Sequence, residues 1–466
     1  MKLTKKIITT GIACWLGAGS LLAGGLMTNT NQSAHFLRNP ARGASMEIDA
    51  VYTNPAGLSH LSREGFHFTF NNQSAFQTRT ITTTFAPFAF KSKEYRGEAS
   101  ALFIPSFFGA YKMGDWVFSG GFAITGGGGT LTFDHGLPSF ERDIVTLPME
   151  LNRLNPDLNV TQHSVDMRMQ GTSIIYGGQL GASYSINDMF SVFAGARLAV
   201  VNNSHKGHLR DIKINPTFAG NPNGDMMLAS DFFNMIGEPE QADAAADRHL
   251  DNTQSGWGIT PILGVNINFG NLNIGIKYEF NTRIDVANST ARDIVLRLDI
   301  DGNPVTMFPD GGRVPHDIPA LLAIGAQYDV HPDVTISAGW HRFFDSNARM
   351  ANDRQDLING GINEYLVGVE WRINSMFLAS AGGQFTHTGV TPRFQTDLSH
   401  SLHSFSFGMG GAVNVTDRIR INAGYFLTLF ADWTNISIFP GTYVVWDSDV
   451  FSRTSRVFGV GVDFRF

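Results

Sequence analysis

Residues 256–283 alternate so regularly that they leave the backbone few choices. Trp257, Ile259, Pro261, Leu263, Val265, Ile267 and Phe269 share one parity; Gly258, Thr260, Gly264, Asn266 and Asn268 share the other, with Ile262 the exception. After Gly270-Asn271 the pattern resumes. Leu272, Ile274, Ile276, Tyr278 and Phe280 oppose Asn273, Gly275, Lys277, Glu279, Asn281 and Arg283. A period of two puts successive side chains on opposite faces of an extended strand. One face is apolar and the other carries full charges, so the hairpin stands between an apolar medium and a polar one. The last residues repeat this: Phe458, Val460, Val462, Phe464 and Phe466 oppose Val457, Gly459, Gly461, Asp463 and Arg465.

The same alternation predicts strands over 65–76, 99–112, 115–125, 172–186, 189–201, 256–269, 271–283, 319–329, 334–343, 362–373, 376–387, 402–415, 418–430 and 454–466. Tight turns and long connections alternate between them. Beyond the N-terminal segment no run of 18 apolar residues occurs, so a membrane location requires a closed barrel, which satisfies every backbone polar group in lipid. Charged residues are only 16% of the chain, against ~25% in an average soluble domain, while Gly numbers 50 and Phe 37. The fold class expected is all-β transmembrane: a fourteen-stranded antiparallel outer-membrane β-barrel with short periplasmic turns and long extracellular loops. The net charge of −7 argues against nucleic acid as a main partner.

Residues 1–23 read as a secretory signal, with Lys2, Lys5 and Lys6 before an apolar stretch too short to span a membrane and cleavage expected at Ala23. A lipoprotein anchor at Cys14, the chain's only cysteine, is disfavoured because Gly11 stands where such signals carry Leu. Residues 24–64 do not alternate. A lumen of about fourteen strands is too wide for side chains to fill, so this segment is expected to be a plug inside the barrel formed by 65–466. A periplasmic extension is the alternative.

Within that segment, Gln32-Ser33-Ala34, then R-G-A-S at 42–45, then D-A-V-Y-T-N-P-A-G-L at 49–58 resemble the start of FadL/TodX-type transporters, outer-membrane importers of long-chain fatty acids and other hydrophobic compounds. The resemblance makes Asn54, Pro55 and Ala56 a plug motif. It implies passive transport without a cofactor: extracellular loops capture the ligand, and it leaves sideways through a gap in the wall at a kinked third strand. Such a route suits an alkyl chain, which gains roughly 0.8 kcal/mol for each CH₂ kept out of water. The implied setting is the bacterial outer membrane. The implied partners are a long-chain fatty acid or other hydrophobic ligand, outer-membrane lipid and lipopolysaccharide, and the barrel assembly machinery acting through the C-terminal strand, on a monomer.

Glycine inside a strand marks a bend or a close approach, so Gly120-Gly121 is the candidate kink; tight packing against the plug is the other reading. The family often has Pro near this strand's end, where this chain has Gly126 to Gly129. In the long connections Met226, Met227, Phe232, Phe233 and Met235, at spacings that suit a short helix, and Met307 and Phe308 are candidates for hydrophobic capture or for a small core that holds the loops. Phe85, Phe88 and Phe90 admit the same two readings. Arg197 and Lys277 are candidate partners for an anionic headgroup, or members of a lumen ion-pair network with Glu279, Arg283, Glu364, Glu370 and Arg372. Gly126–Gly129 lacks the Lys of a phosphate loop, and neither G-x-S-x-G nor H-E-x-x-H occurs. No catalytic or metal residue is nominated. The competing functions are an adhesin or phage-receptor barrel and an outer-membrane lipid-modifying enzyme.

Overall fold

Fourteen strands follow one another around a closed antiparallel ring. A computed structural model describes residues 32–85, 91–298, 304–438 and 445–466; the proposed signal segment, residues 24–31 and Phe88 and Phe90 lie outside the described residues. The strands are β1 (Gly65–Phe85), β2 (Ser92–Met113), β3 (Trp116–Phe133), β4 (His163–Ser185), β5 (Phe190–Ile214), β6 (Arg248–Asn268), β7 (Leu272–Glu279), β8 (Leu321–His331), β9 (Val334–Phe343), β10 (Asn363–Arg372), β11 (Phe377–His387), β12 (Ser404–Thr416), β13 (Ile419–Phe430) and β14 (Val445–Arg465). The ring closes where β14 pairs with β1, from His67–Arg465 to Phe85–Asp447, without a shift in register.

The apolar parity of each strand points outward. Trp257 is 66% exposed, Leu180 75% and Val367 62%, whereas Asn266, Asn273, Lys277 and Glu279 on the opposite parity are buried. A continuous apolar outer belt around buried polar groups is the pattern lipid demands. Aromatic contacts rim it. Phe66 meets Tyr111 at 4.5 Å and Trp116 meets Tyr184 at 4.7 Å near the tight-turn end; Phe458 meets Tyr425 at 4.8 Å and Phe385 meets Phe405 at 4.7 Å near the other.

The wall is uneven in height. β1 to β6 and β14 run for 18 to 25 residues, while β7 to β13 run for 8 to 13. Strands of about 9–11 residues suffice to cross a bilayer, so the tall side stands well clear of it. The expected strands were too short there: β14 begins at 445 rather than 454, and β4 begins at 163 rather than 172. Above the belt the outer face meets water, so Thr78, Thr80 and Thr82 replace the apolar signal that marks β1 lower down.

The tall side supports the largest apolar cluster. A helix α3 (Pro138–Leu154), in a connection read from sequence as a loop, buries Phe140, Ile144, Leu147 and Leu151 against Met167, Met169 and Leu209 of the wall. Two shorter helices precede it in the chain: α1 (Ala34–Arg38) and α2 (Ala50–Thr53), the latter followed by a 3-10 turn Pro55–His60.

Candidate functional site

Residues 32–61 pack against the inward faces of the strands. Close approach comes first from missing side chains. A Cβ on Gly275 or Gly325 would lie 2.1 Å or 2.3 Å from the backbone of Gly43, and one on Gly368 would lie 1.9 Å from Asn39. Backbone and side-chain hydrogen bonds then fix the segment to the wall. Ala34 N–H donates to Asn71 at 3.1 Å, Asn273 donates to the Ala44 carbonyl at 2.8 Å and Gln179 to that of Val51 at 2.6 Å. Asn54, Pro55 and Ala56 all serve as such ties: the Asn54 amide donates to Asn266 at 2.8 Å, and the next two carbonyls accept from Ser183 at 2.7 Å and Ser191 at 2.8 Å.

Charge anchors the same segment. Arg42 holds Asp49 through two contacts of 2.8 Å and reaches Glu47 at 2.9 Å. Arg38 pairs with Glu370, Arg420 with Glu47, and His35 with Asp463 at 3.0 Å. Ligand atoms of His35, Glu47 and Asp49 lie within 4.8 Å of one another, but the Arg42 fork already fills the carboxylates, which makes the cluster an ion-pair knot rather than a metal cage.

Beside this segment the wall is interrupted. β2 and β3 pair from Met113–Trp116 up to Ser106–Ala123 and again from Ala99–Leu131, but residues 100–105 and 124–130 do not pair with each other. Both edges are distorted. β3 carries irregularities against β4 between Ile124 and Gly129, with Gly127 and Gly129 at φ 93° and 70°; a Cβ on Gly127 would lie 2.2 Å from the Ser173 carbonyl. On β2, Ala101–Ile104 bulges against β1, leaving Leu102 and Phe103 exposed, and Pro105 has no N–H to offer. Gly120 and Gly121, the expected kink, pair in regular register with Gly109 and Phe108 of β2 and with Leu180 and Gln179 of β4. They are bare because Leu180 and Phe108 lean over them. The distortion belongs to Gly126–Gly129.

A small cavity lies next to the segment, lined by Phe36, Tyr52, Phe108, Leu321 and Ala323 with Lys277 and His341. Gln32 also lines it, and its carbonyl accepts a hydrogen bond from Ser106, the first paired residue below the gap. Lys277 and Arg197 meet here, yet neither charge is unmet. Arg197 grips Glu279 at 2.7 Å and 3.0 Å, Lys277 reaches the same carboxylate at 2.7 Å, and the Tyr52 ring lies 4.6 Å and 4.9 Å from the two cations. Of the two readings given for them, these contacts are those of the ion-pair network.

A second small cavity lies on the tall side between α3 and the wall. Phe140, Met169, Leu209, Leu250 and Ile294 line it, with Arg248 and His208 also in its walls. The expected capture residues divide around it. Phe232, Phe233, Met307 and Phe308 are buried in the apolar cluster, Met227 packs against it, and Met226 and Met235 are 39% and 57% exposed. Met227 begins a two-residue strand, Met227–Leu228, before a helix α4 (Ala229–Met235); only Phe232, Phe233 and Met235 of the nominated residues are helical, and the Phe pair faces the core. Phe85 is also buried, beneath the Arg142 guanidinium. Sequence reasoning missed α3, although Phe140, Ile144, Leu147 and Leu151 at helical spacing behind Pro138 were a usable signal.

Glu141 clamps the start of α3. Burial would push its carboxyl up, but hydrogen bonds from His163, Lys93 and Tyr95, the last at 2.7 Å, hold it down at about 2. Nearby in the connection before β12, burial beside Arg79 and Arg453 pushes the His400 imidazole down to about 3.

No protein-family model matches the sequence, and no curated protein matches it. Solved structures do. A FadL homologue from Pseudomonas aeruginosa aligns over 94% of this chain and 99% of its own at 12% identity, with a TM-score of 0.62. The toluene transporter TodX of Pseudomonas putida aligns over 96% and 100% at 14% identity and 0.56, and the toluene transporter TbuX of Ralstonia pickettii over 92% and 98% at 14% and 0.51. At such identities the likeness is one of fold: over more than nine-tenths of its length this chain aligns with the barrels of the FadL homologue and TodX.

Proposed function

We infer that this chain is a passive outer-membrane channel for hydrophobic compounds, long-chain fatty acids among them. Ligand enters the apolar cavity under α3 on the tall side, passes the N-terminal plug through the cavity bounded by Tyr52 and Phe108, and leaves sideways between β2 and β3. The observation that carries this reading is the unpaired stretch 100–105 against 124–130, directly beside the point where Ser106 holds Gln32. A water-filled pore has no use for a side exit. An alkyl or aromatic ligand does, because the exit leads to lipid and spares it the aqueous space below. The fold shared with channels described as toluene transporters and a FadL homologue supports the same reading. Neither an adhesin nor a lipid-modifying enzyme has a specific observation in its favour.

The test is uptake of labelled oleate and of labelled toluene by cells with and without the protein. Faster uptake of at least one, by diffusion that survives loss of cellular energy, is expected. Equal uptake of both by the two strains contradicts the proposal.

A further inference from the structure

Helix α3 is built in two halves. Pro148 stands in its interior; it offers no N–H to the Ile144 carbonyl and crowds that turn, so the helix is weakest there. The half after it, 149–154, is tied within its own connection. The Asn152 side chain donates to the Val160 carbonyl and accepts from the Val160 N–H, both at 2.7 Å. The half before it, 138–147, is held from outside by charge. Arg142 reaches Asp447 at 2.9 Å and Asp449 at 2.6 Å on β14, and Thr83 of β1 donates to Asp449 at 2.6 Å. Asp397, in the connection before β12, accepts the Ser139 N–H at 2.7 Å. Glu141 is held by Lys93 and Tyr95 of β2.

These ties are those of a latch rather than of a permanent seam. Three carboxylates, Asp397, Asp447 and Asp449, act on the one Arg142 guanidinium, so negative charge is in excess and the acids oppose one another. The side chains of Arg142 and Lys93 are 27% and 39% exposed, and water competes for both. Behind the latch, the same half of α3 buries Phe140, Ile144 and Leu147, and Phe140 lines the small cavity under the helix. That cavity is too small for a long alkyl chain, so a ligand is housed there only if Phe140 gives way. An apolar ligand then covers the surface that Ile144 and Leu147 uncover, which favours the open arrangement over the closed one. We propose that residues 138–147 form a flap, latched by Arg142, that swings about Pro148 to admit apolar ligand to the cavity beneath it. The inference rests on the uptake reading above and adds how entry is controlled.

The test is hydrogen exchange of the full chain in lipid nanodiscs, read by mass spectrometry for 140–147 and 149–154 separately. Arg142→Gln is expected to speed exchange of 140–147 about tenfold, the loss of a charge-assisted contact, and to leave 149–154 within about twofold of the parent. Pro148→Ala added to it rejoins the halves and is expected to bring their rates together. Saturating oleate is expected to speed 140–147 in the parent, and labelled oleate to enter cells faster through Arg142→Gln. Gel migration of unheated against heated samples reports that each variant is folded. Equal acceleration of both halves, or of neither, in folded Arg142→Gln overturns the flap. So does oleate that leaves 140–147 protected in a parent chain that still imports it, and the uptake reading then stands. A parent chain that imports neither oleate nor toluene overturns the uptake reading and the flap's part in entry with it.

Discussion

The barrel has two junctions built from similar materials with opposite outcomes. At the seam, β14 meets β1 through Gly459 and Gly461 and every register position from His67 to Phe85 is paired. At the gap, β2 meets β3 and residues 100–105 of β2 have no partner in β3. Both are rich in glycine, so glycine content does not open a wall. At the seam the glycines are extended and simply make room: a Cβ on Gly461 would lie 2.1 Å from Asn71, and one on Gly459 2.4 Å from Leu37. At the gap Gly127 and Gly129 adopt positive φ, which other residues resist, and so form a bulge. Pro105 and the opposing bulge at Ala101–Ile104 then prevent the neighbouring strand from following. An opening needs both edges spoiled at one height.

The largest expected contrast is in backbone hydrogen exchange. Among 100–104 and 124–130, the amides that point across the break should exchange fully before those of 67–85 have begun to, read by mass spectrometry of the folded barrel; equal protection would mean that the gap is closed in solution. Next in size, Gly461→Val drives a side chain into Asn71 and should lower stability by about 3 kcal/mol, read from the urea midpoint, with uptake per folded molecule unchanged. Smaller again is Glu141→Gln, which removes a charge-assisted clamp on α3 and should cost about 2 kcal/mol. The sign of its pH dependence is fixed. The folded carboxyl titrates near 2, below an unfolded value of about 4.3, so its stabilisation is complete above about 4.3 and is lost as pH falls toward 2. The parent chain should show that loss and Glu141→Gln should not. The smallest effect belongs to Met235→Ser, an exposed site outside the apolar cluster, expected to move stability by less than about 0.5 kcal/mol.

The seam was far easier to read in the sequence than the gap. Lipid on one side and a polar interior on the other impose strict alternation on Phe458–Phe466, and β9 falls on its expected residues because His331-Pro332-Asp333 marks the turn before it. Above the belt the outer face is polar while the inner face packs on the apolar cluster, so the outward half of the alternation fades and the tall extensions of β4, β5 and β14 are not marked by the apolar outer parity. The gap was misplaced to Gly120-Gly121 because a glycine pair in a strand looks like a bend whether or not its neighbours need the room. What distinguishes Gly126–Gly129 is its partner at the same height, and Pro105 becomes its neighbour only through a register that no single strand reveals. Arg197 and Lys277 were legible as lumen charges, but their capture by Glu279 depends on β5 and β7 facing the same space.

The central claim is that ligand leaves through the gap, and closing the gap tests it most directly. Replacing Gly126-Gly127-Gly128-Gly129 by residues of strong strand preference, together with Pro105→Val, should let β2 and β3 pair throughout. Uptake of labelled oleate is then measured against the parent chain and against Gly461→Val, each normalised to folded barrel in the membrane. The account predicts that the gap-closed protein falls to the level of cells lacking it while Gly461→Val keeps its rate. A gap-closed barrel that pairs β2 with β3 throughout and still imports oleate at the parent rate would contradict it.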